Sequence, residues 1–133
     1  MDKAAAYLLV GFGSALGGMG RFWMTNLIAQ RAGETFPWGT LAVNVSGSLL
    51  IGFLAALIGP DGRFNPKLNP LILQLFMAGL CGGFTTFSAF SLQTLRLVQG
   101  ANWLSAGANA VLSVTLCLAA VWLGHLAGQL FNR

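Results

Sequence analysis

Four long stretches of this chain carry no charged residue: Ala4 to Gly20, Trp38 to Gly59, Leu68 to Leu95, and Leu97 to Phe131, the last interrupted only by His125. Taken out to the nearest breakers and caps, they predict four transmembrane helices, over residues 4–28, 38–58, 70–95 and 103–128, in a single domain 1–133. Helices of this length, rising about 1.5 Å per residue, cross a hydrocarbon core of roughly 30 Å. Pro37 with Trp38 marks the second start, Pro70 the third, and Asn102 with Trp103 the fourth. The third stretch also carries its own interruption. Gly82 and Gly83 stand in mid-span and are followed by Thr85, Thr86, Ser88 and Ser91, so this helix is expected to break at Gly82-Gly83. Unwound backbone survives at membrane depth only where it is buried in protein or lines a wet cavity, which points to an ion or solute site.

Composition strengthens the membrane assignment. Of the 133 residues, 56% are hydrophobic and 8% charged, against about 25% charged in a soluble domain. The fold class is therefore an all-α integral membrane protein. Lys3 ahead of the first stretch, with Ala15 and Gly17 further on, imitates a signal peptide, but the other spans favour a signal-anchor helix. The net charge of +4 comes from scattered bases and gives no footprint for nucleic acid. With four spans, Lys3, Arg63, Lys67 and Arg133 share one side of the membrane, and Arg21, Arg31 and Arg96 the other. So even a balance permits insertion in both orientations. Cys81 and Cys117 fall inside spans and read as buried free thiols.

Candidate chemistry is sparse and polar rather than acidic. In the first helix, Gly13 and Gly17 have the four-residue spacing that lets another helix approach closely, as do Gly124 and Gly128 in the fourth. Arg21 lies about two turns inside the expected end of its helix and either snorkels to the interface or attracts an anion. Thr40, Asn44 and Gly47 share one face of the second helix, where Asn44 either ties helices together or offers its NH2 donors to an anion. Phe87 and Phe90 are packing residues or, with Ser88 between them, a weakly polar wall that presents ring edges to an anion. Asn109, Ser113 and Cys117 recur every four residues as a thin polar stripe, in which Ser113 either bonds back to its own helix or faces the bundle or a pore.

All three carboxylates, Asp2, Glu34 and Asp61, fall outside the spans. A proton-coupled exporter of cationic drugs thereby loses the intramembrane acid it needs, and one histidine without paired carboxylates disfavours an acid–base enzyme. A small-anion-handling membrane protein remains, with backbone carbonyls at Gly82-Gly83 suited to a hard cation.

Two motifs carry a resemblance further. Gly39-Thr40-Leu41-Ala42-Val43-Asn44 and Gly82-Gly83-Phe84-Thr85-Thr86-Phe87-Ser88-Ala89-Phe90, with Gly17-x-x-x-Arg21 in support, resemble the CrcB/Fluc family of fluoride channels over the whole chain. The resemblance implies an antiparallel, dual-topology homodimer in the cytoplasmic membrane with two pores for passive fluoride efflux. It implies a structural sodium ion at the dimer centre, held by the main-chain carbonyls of Gly82 and Thr85. Phe87, Phe90 and Asn44 would then line the pore, with Thr40 on the face of Asn44. Ser88, Asn109 and Ser113 would supply a polar track and Arg21 would stand near a mouth. Two departures are visible: Ala89 where the family usually has threonine, and Asn109 where many relatives carry tyrosine. The alternatives are a small multidrug-type exporter and a non-conducting membrane assembly subunit.

Overall fold

A computed structural model describes residues 2–60, 62–64 and 70–133, and among these the chain is helical with no strand. Helix α1 spans Lys3–Ala32 and α2 Trp38–Ile58. The third run, α3 (70–84), joins a short α-helical start, Pro70–Ile72, to a π-helical stretch, Leu73–Cys81, and a last turn, Gly82–Phe84. Helix α4 is Phe87–Gln99 and α5 Trp103–Asn132. Among the described residues three runs are long and apolar enough to cross a membrane: α2, the interrupted Pro70–Gln99, and α5. Helix α1 is not among them, although it has 30 residues. Its glycines and Arg21 replace the large apolar side chains that the other runs carry.

Local chemistry explains where these helices stop. Asp2 Oδ1 accepts from the Ala4 N–H at 3.1 Å to start α1, and Gly33, at φ 80°, ends it with its own N–H on the Ala29 carbonyl. Asn102 Oδ1 accepts from the Ser105 N–H to start α5. Helices α1, α4 and α5 each run four residues past their predicted ends, to Ala32, Gln99 and Asn132. Gly128 proves to be a packing residue rather than a terminus, since a Cβ there would run into the Ala56 side chain and the Phe53 carbonyl.

The spans alternate in direction, α3 and α4 together forming one of them. Residues 13, 17 and 20 of α1 meet residues 75–84 of α3 in rising order, so these two run parallel. Gly52 and Gly124 likewise bring α2 and α5 backbone to backbone. At one end, Asn132 Nδ2 donates to the Ala56 carbonyl at 2.9 Å and the Arg63 guanidinium lies 4.9 Å from the Phe131 ring centre. The end of α2 and the end of α5 are therefore together. Of the expected 59–69 turn, the Gly62 N–H donates to the Gly59 carbonyl and the Phe64 N–H to that of Leu57. Asp61, Pro66 and Lys67 lie outside the described residues.

Candidate functional site

The interruption in the third run lies three residues later than expected. Gly82 is helical, at φ −63° and ψ −38°, and the chain leaves the helix only at Thr85 (φ −82°, ψ 158°) and Thr86 (φ −154°, ψ 113°). Two separate needs explain this. Gly83 is there for close approach, because a Cβ would collide with the backbone of Ser14 in α1. The break itself is made where side chains outbid the helical ladder. A continuing helix would give the Thr86 N–H to the Gly82 carbonyl; instead it donates to Asn44 Oδ1 at 2.7 Å. Asn44 Nδ2 returns a hydrogen bond to the Thr86 carbonyl at 3.0 Å, so one amide holds both polar groups of the unwound residue. Thr86 Oγ1 then caps α4, accepting from the Ala89 N–H at 3.2 Å.

This diversion has a consequence for two carbonyls. The Gly82 oxygen loses the Thr86 N–H and the Thr85 oxygen loses the Ala89 N–H, each to a side chain. Gly82 is exposed and Thr85 half-buried, its methyl group set against Gly47 of α2. Thr85 itself points back, with its N–H and its Oγ1 both donating to the Cys81 carbonyl, at 3.0 and 2.9 Å. The π-helical stretch ahead of the break leans on α1, and Ser14 Oγ donates to the Gly79 carbonyl at 3.4 Å. Wide π turns are uncommon and concentrate at functional sites.

Beside the break runs a groove of about 390 Å³ that brings together Asn44, Gly82, Thr85, Phe87, Phe90 and Ser113. The rings of Phe87 and Phe90 stand 5.2 Å apart, tilted by 52°. Phe90 is half-buried, whereas Phe87 is 75% exposed on the single chain. Among the described residues no carboxylate lines the groove; its walls are largely apolar, with Ile51, Val114, Leu118 and the two phenylalanine rings set beside hydroxyls, the Asn44 amide, backbone and two free cysteines. A second cavity, of about 440 Å³, opens at the end where α1 gives way to α2, and is lined among others by Thr40, Asn26, Gln93, Arg96 and Glu34. Thr40 is buried one turn from Asn44, so a polar line along α2 joins the two cavities.

Four of the residues singled out from the sequence stand apart from the groove lining. Ser88 is exposed and shares a 3.2 Å hydrogen bond with Thr86 Oγ1. Thr40 belongs to the second cavity. Asn109 is 1% exposed and sits behind Ser113, whose Oγ donates to Asn109 Oδ1 at 3.4 Å. Arg21 is half-buried and about three turns from the end of α1, deeper than the shorter predicted helix implied.

Residues 8–125 match the family model described as CrcB-like protein, Camphor Resistance (CrcB). The chain belongs to the CrcB family. A protein of Paramagnetospirillum magneticum named fluoride-specific ion channel FluC is 55% identical over 128 residues, which is 96% of this chain and 98% of its own. Proteins of the same name from Rhodospirillum rubrum and Methylocella silvestris are 55% and 52% identical, again over 96% of this chain and 97% and 95% of theirs. In the sequence of this CrcB protein Thr86 stands out among the hydroxyls after the glycines, but not as the partner of Asn44, and Thr94 behind the groove does not stand out at all. Both are threonines one turn from residues that were singled out, but hydroxyl spacing alone does not reveal which side chain across the bundle will answer them.

Proposed function

We propose that this chain is a fluoride channel: a multi-pass protein of the cell membrane that lets fluoride leave passively, and not an enzyme. The observation that carries the reading is full-length similarity, at 52–55% identity, to proteins named fluoride-specific ion channels. The groove supports it chemically. Ring edges, hydroxyls and amide donors favour a small anion, and with no carboxylate among the lining residues there is no fixed negative charge to repel one. An inside-negative potential drives such an ion outward without a coupled energy source. A proton-coupled drug exporter would need an acid in this groove.

The working unit in this reading is an antiparallel dual-topology homodimer of four-span subunits, α1 providing the fourth span. An exposed Phe87 and a groove open along one side support a second copy there. The near-even division of basic residues supports insertion of that copy in the opposite sense. The Gly82 and Thr85 carbonyls, relieved of their helical donors, fit a hard monovalent cation such as sodium. One chain offers only two such oxygens at the break, so the partner would complete the set. The ion would supply positive charge between the subunits and tie the two breaks together. Phe87, Phe90, Asn44 and Ser113 would meet fluoride in the groove, Ser88 and Asn109 would flank it, and Thr40 and Arg21 would serve its approach.

The test is efflux from proteoliposomes loaded with fluoride, a potassium ionophore setting the potential and chloride-loaded vesicles alongside. Rapid voltage-driven release of fluoride with chloride retained is expected. Release that requires a proton gradient would mean a coupled transporter, and retention of both ions by folded dimer would leave a structural subunit. Removing sodium from both faces should abolish the flux, and indifference to sodium would remove the cation assignment.

A further inference from the structure

Behind the groove a chain of hydrogen bonds crosses from α5 to α4 and ends on the backbone of a groove residue. Ser113 Oγ donates to Asn109 Oδ1 at 3.4 Å, and Asn109 Nδ2 donates to Thr94 Oγ1 at 2.9 Å. Thr94 Oγ1 in turn donates to the Phe90 carbonyl at 2.8 Å. Every hydroxyl and amide in this series is used consistently: the Thr94 hydroxyl accepts one bond and donates one. The two ends, Ser113 and Phe90, face the groove, while Asn109 and Thr94 do not. Asn109 is buried to 1% exposure, a position where an amide without partners would be costly.

The hairpin that joins the two helices is held to the same register. The N–H groups of Gly100, Ala101 and Asn102 donate to the carbonyls of Arg96, Val98 and Leu97. Ala101 takes a left-handed φ of 58°, which an alanine adopts only when its surroundings impose it. A slip of α4 by one residue would turn Thr94 away from Asn109 by about 100°.

We propose that Thr94 and Asn109 are positioning residues for permeation: together they fix the rotation of α4, and so the angle at which the Phe90 ring meets an anion in the groove. They act through Phe90 and Ser113 rather than by touching the ion. This rests on the fluoride-channel reading, and deepens it by assigning the orientation of one wall to a hydrogen-bonded pair between α4 and α5, of which Asn109 is buried.

T94V keeps the shape of the side chain and removes its hydroxyl. Fluoride efflux is expected to fall between roughly 10- and 100-fold, the scale of a sub-ångström to 1 Å misplacement of a reacting or recognising group. The fluoride-to-chloride permeability ratio, which a purely structural role would leave alone, should fall with it. T94S, which restores the hydroxyl, should restore both. The double variant T94V/N109L should lose less than the sum of the two single changes, because both break the Thr94–Asn109 bond. That double variant leaves no amide stranded at position 109, frees only the Ser113 hydroxyl at the groove, and serves in place of T94V if the latter does not fold, with the same losses expected. Wild-type flux and ratio in T94V, or in the double variant, would overturn the inference, as would additive losses. Wild-type protein assayed in the same vesicles separates the two levels: a conducting wild type with an indifferent T94V removes the positioning role alone, while a wild type that passes no fluoride removes the channel reading.

Discussion

The two sides of the broken third run differ in what a methyl group would meet. On the side toward α1, Gly83 has the Ser14 backbone where its Cβ would be, and Gly17 opposite has the carbonyl of Leu80. On the outward side, a Cβ on the adjacent Gly82 would meet only the Met77 carbonyl at 3.8 Å, an ordinary contact. Adjacent glycines thus do unrelated jobs. One lets two helices of the same chain touch; the other keeps a carbonyl and an open surface free. The inward face accounts for why the chain folds, and the outward face, with Phe87, Gly82 and Thr85, holds the groups assigned to the ion and to the second copy.

If that division is correct, changes on the outward face should strike transport and spare the fold, and the largest effect should come from the rings. F87I/F90I removes two ring edges, each worth about 1–1.5 kcal/mol, so fluoride flux should drop by roughly 100-fold. The protein should still elute as wild type; unchanged flux would mean that the rings only pack. Next comes the glycine pair. G83A forces backbone apart and should lower stability by up to about 3 kcal/mol, read as a lower thermal midpoint in detergent. G82A should change stability by no more than about 0.5 kcal/mol, while weakening sodium dependence or association with a second copy. Equal destabilisation by both would erase the distinction between the faces.

Between the faces stands Asn44, which belongs to both. N44A leaves the Thr86 N–H and carbonyl without their partner and should cost about 2 kcal/mol, with faster exchange of the Thr86 amide hydrogen. N44D keeps the acceptor and should keep that amide slow to exchange while losing the bond to the Thr86 carbonyl. Fast exchange in N44D would show that the clamp is not what holds the break. The smallest effect is expected at Ala89, which is half-buried and does not line the groove. A89T should alter fluoride flux by less than about threefold, or roughly 0.7 kcal/mol; a larger change would place position 89 on the ion's path.

Much of this architecture is legible in the residues because membrane helices satisfy their own backbones. Charge-free runs, Pro37, Pro70 and Asn102 locate helices without reference to any neighbour, and the spacing of Gly13 with Gly17 announces a contact before its partner is known. The ends were harder. Gly33 and Gly100 stop α1 and α4, yet Gly128, an equally good stop on paper, is consumed by packing against α2.

What the chain decides by itself is thus the helical class, the membrane environment, the presence of an interruption near residue 83 and the acid-free chemistry of the groove. Tertiary structure alone decides where the interruption falls and which amides serve it. Asn44 lies 42 residues from Thr86 and Asn109 lies 15 from Thr94, and a hydrogen bond depends on an approach of about 3 Å that the packing of the whole bundle sets. Propensity would break the helix at its glycines. Packing made them helical, and competition from the half-buried Asn44 moved the break to the threonines.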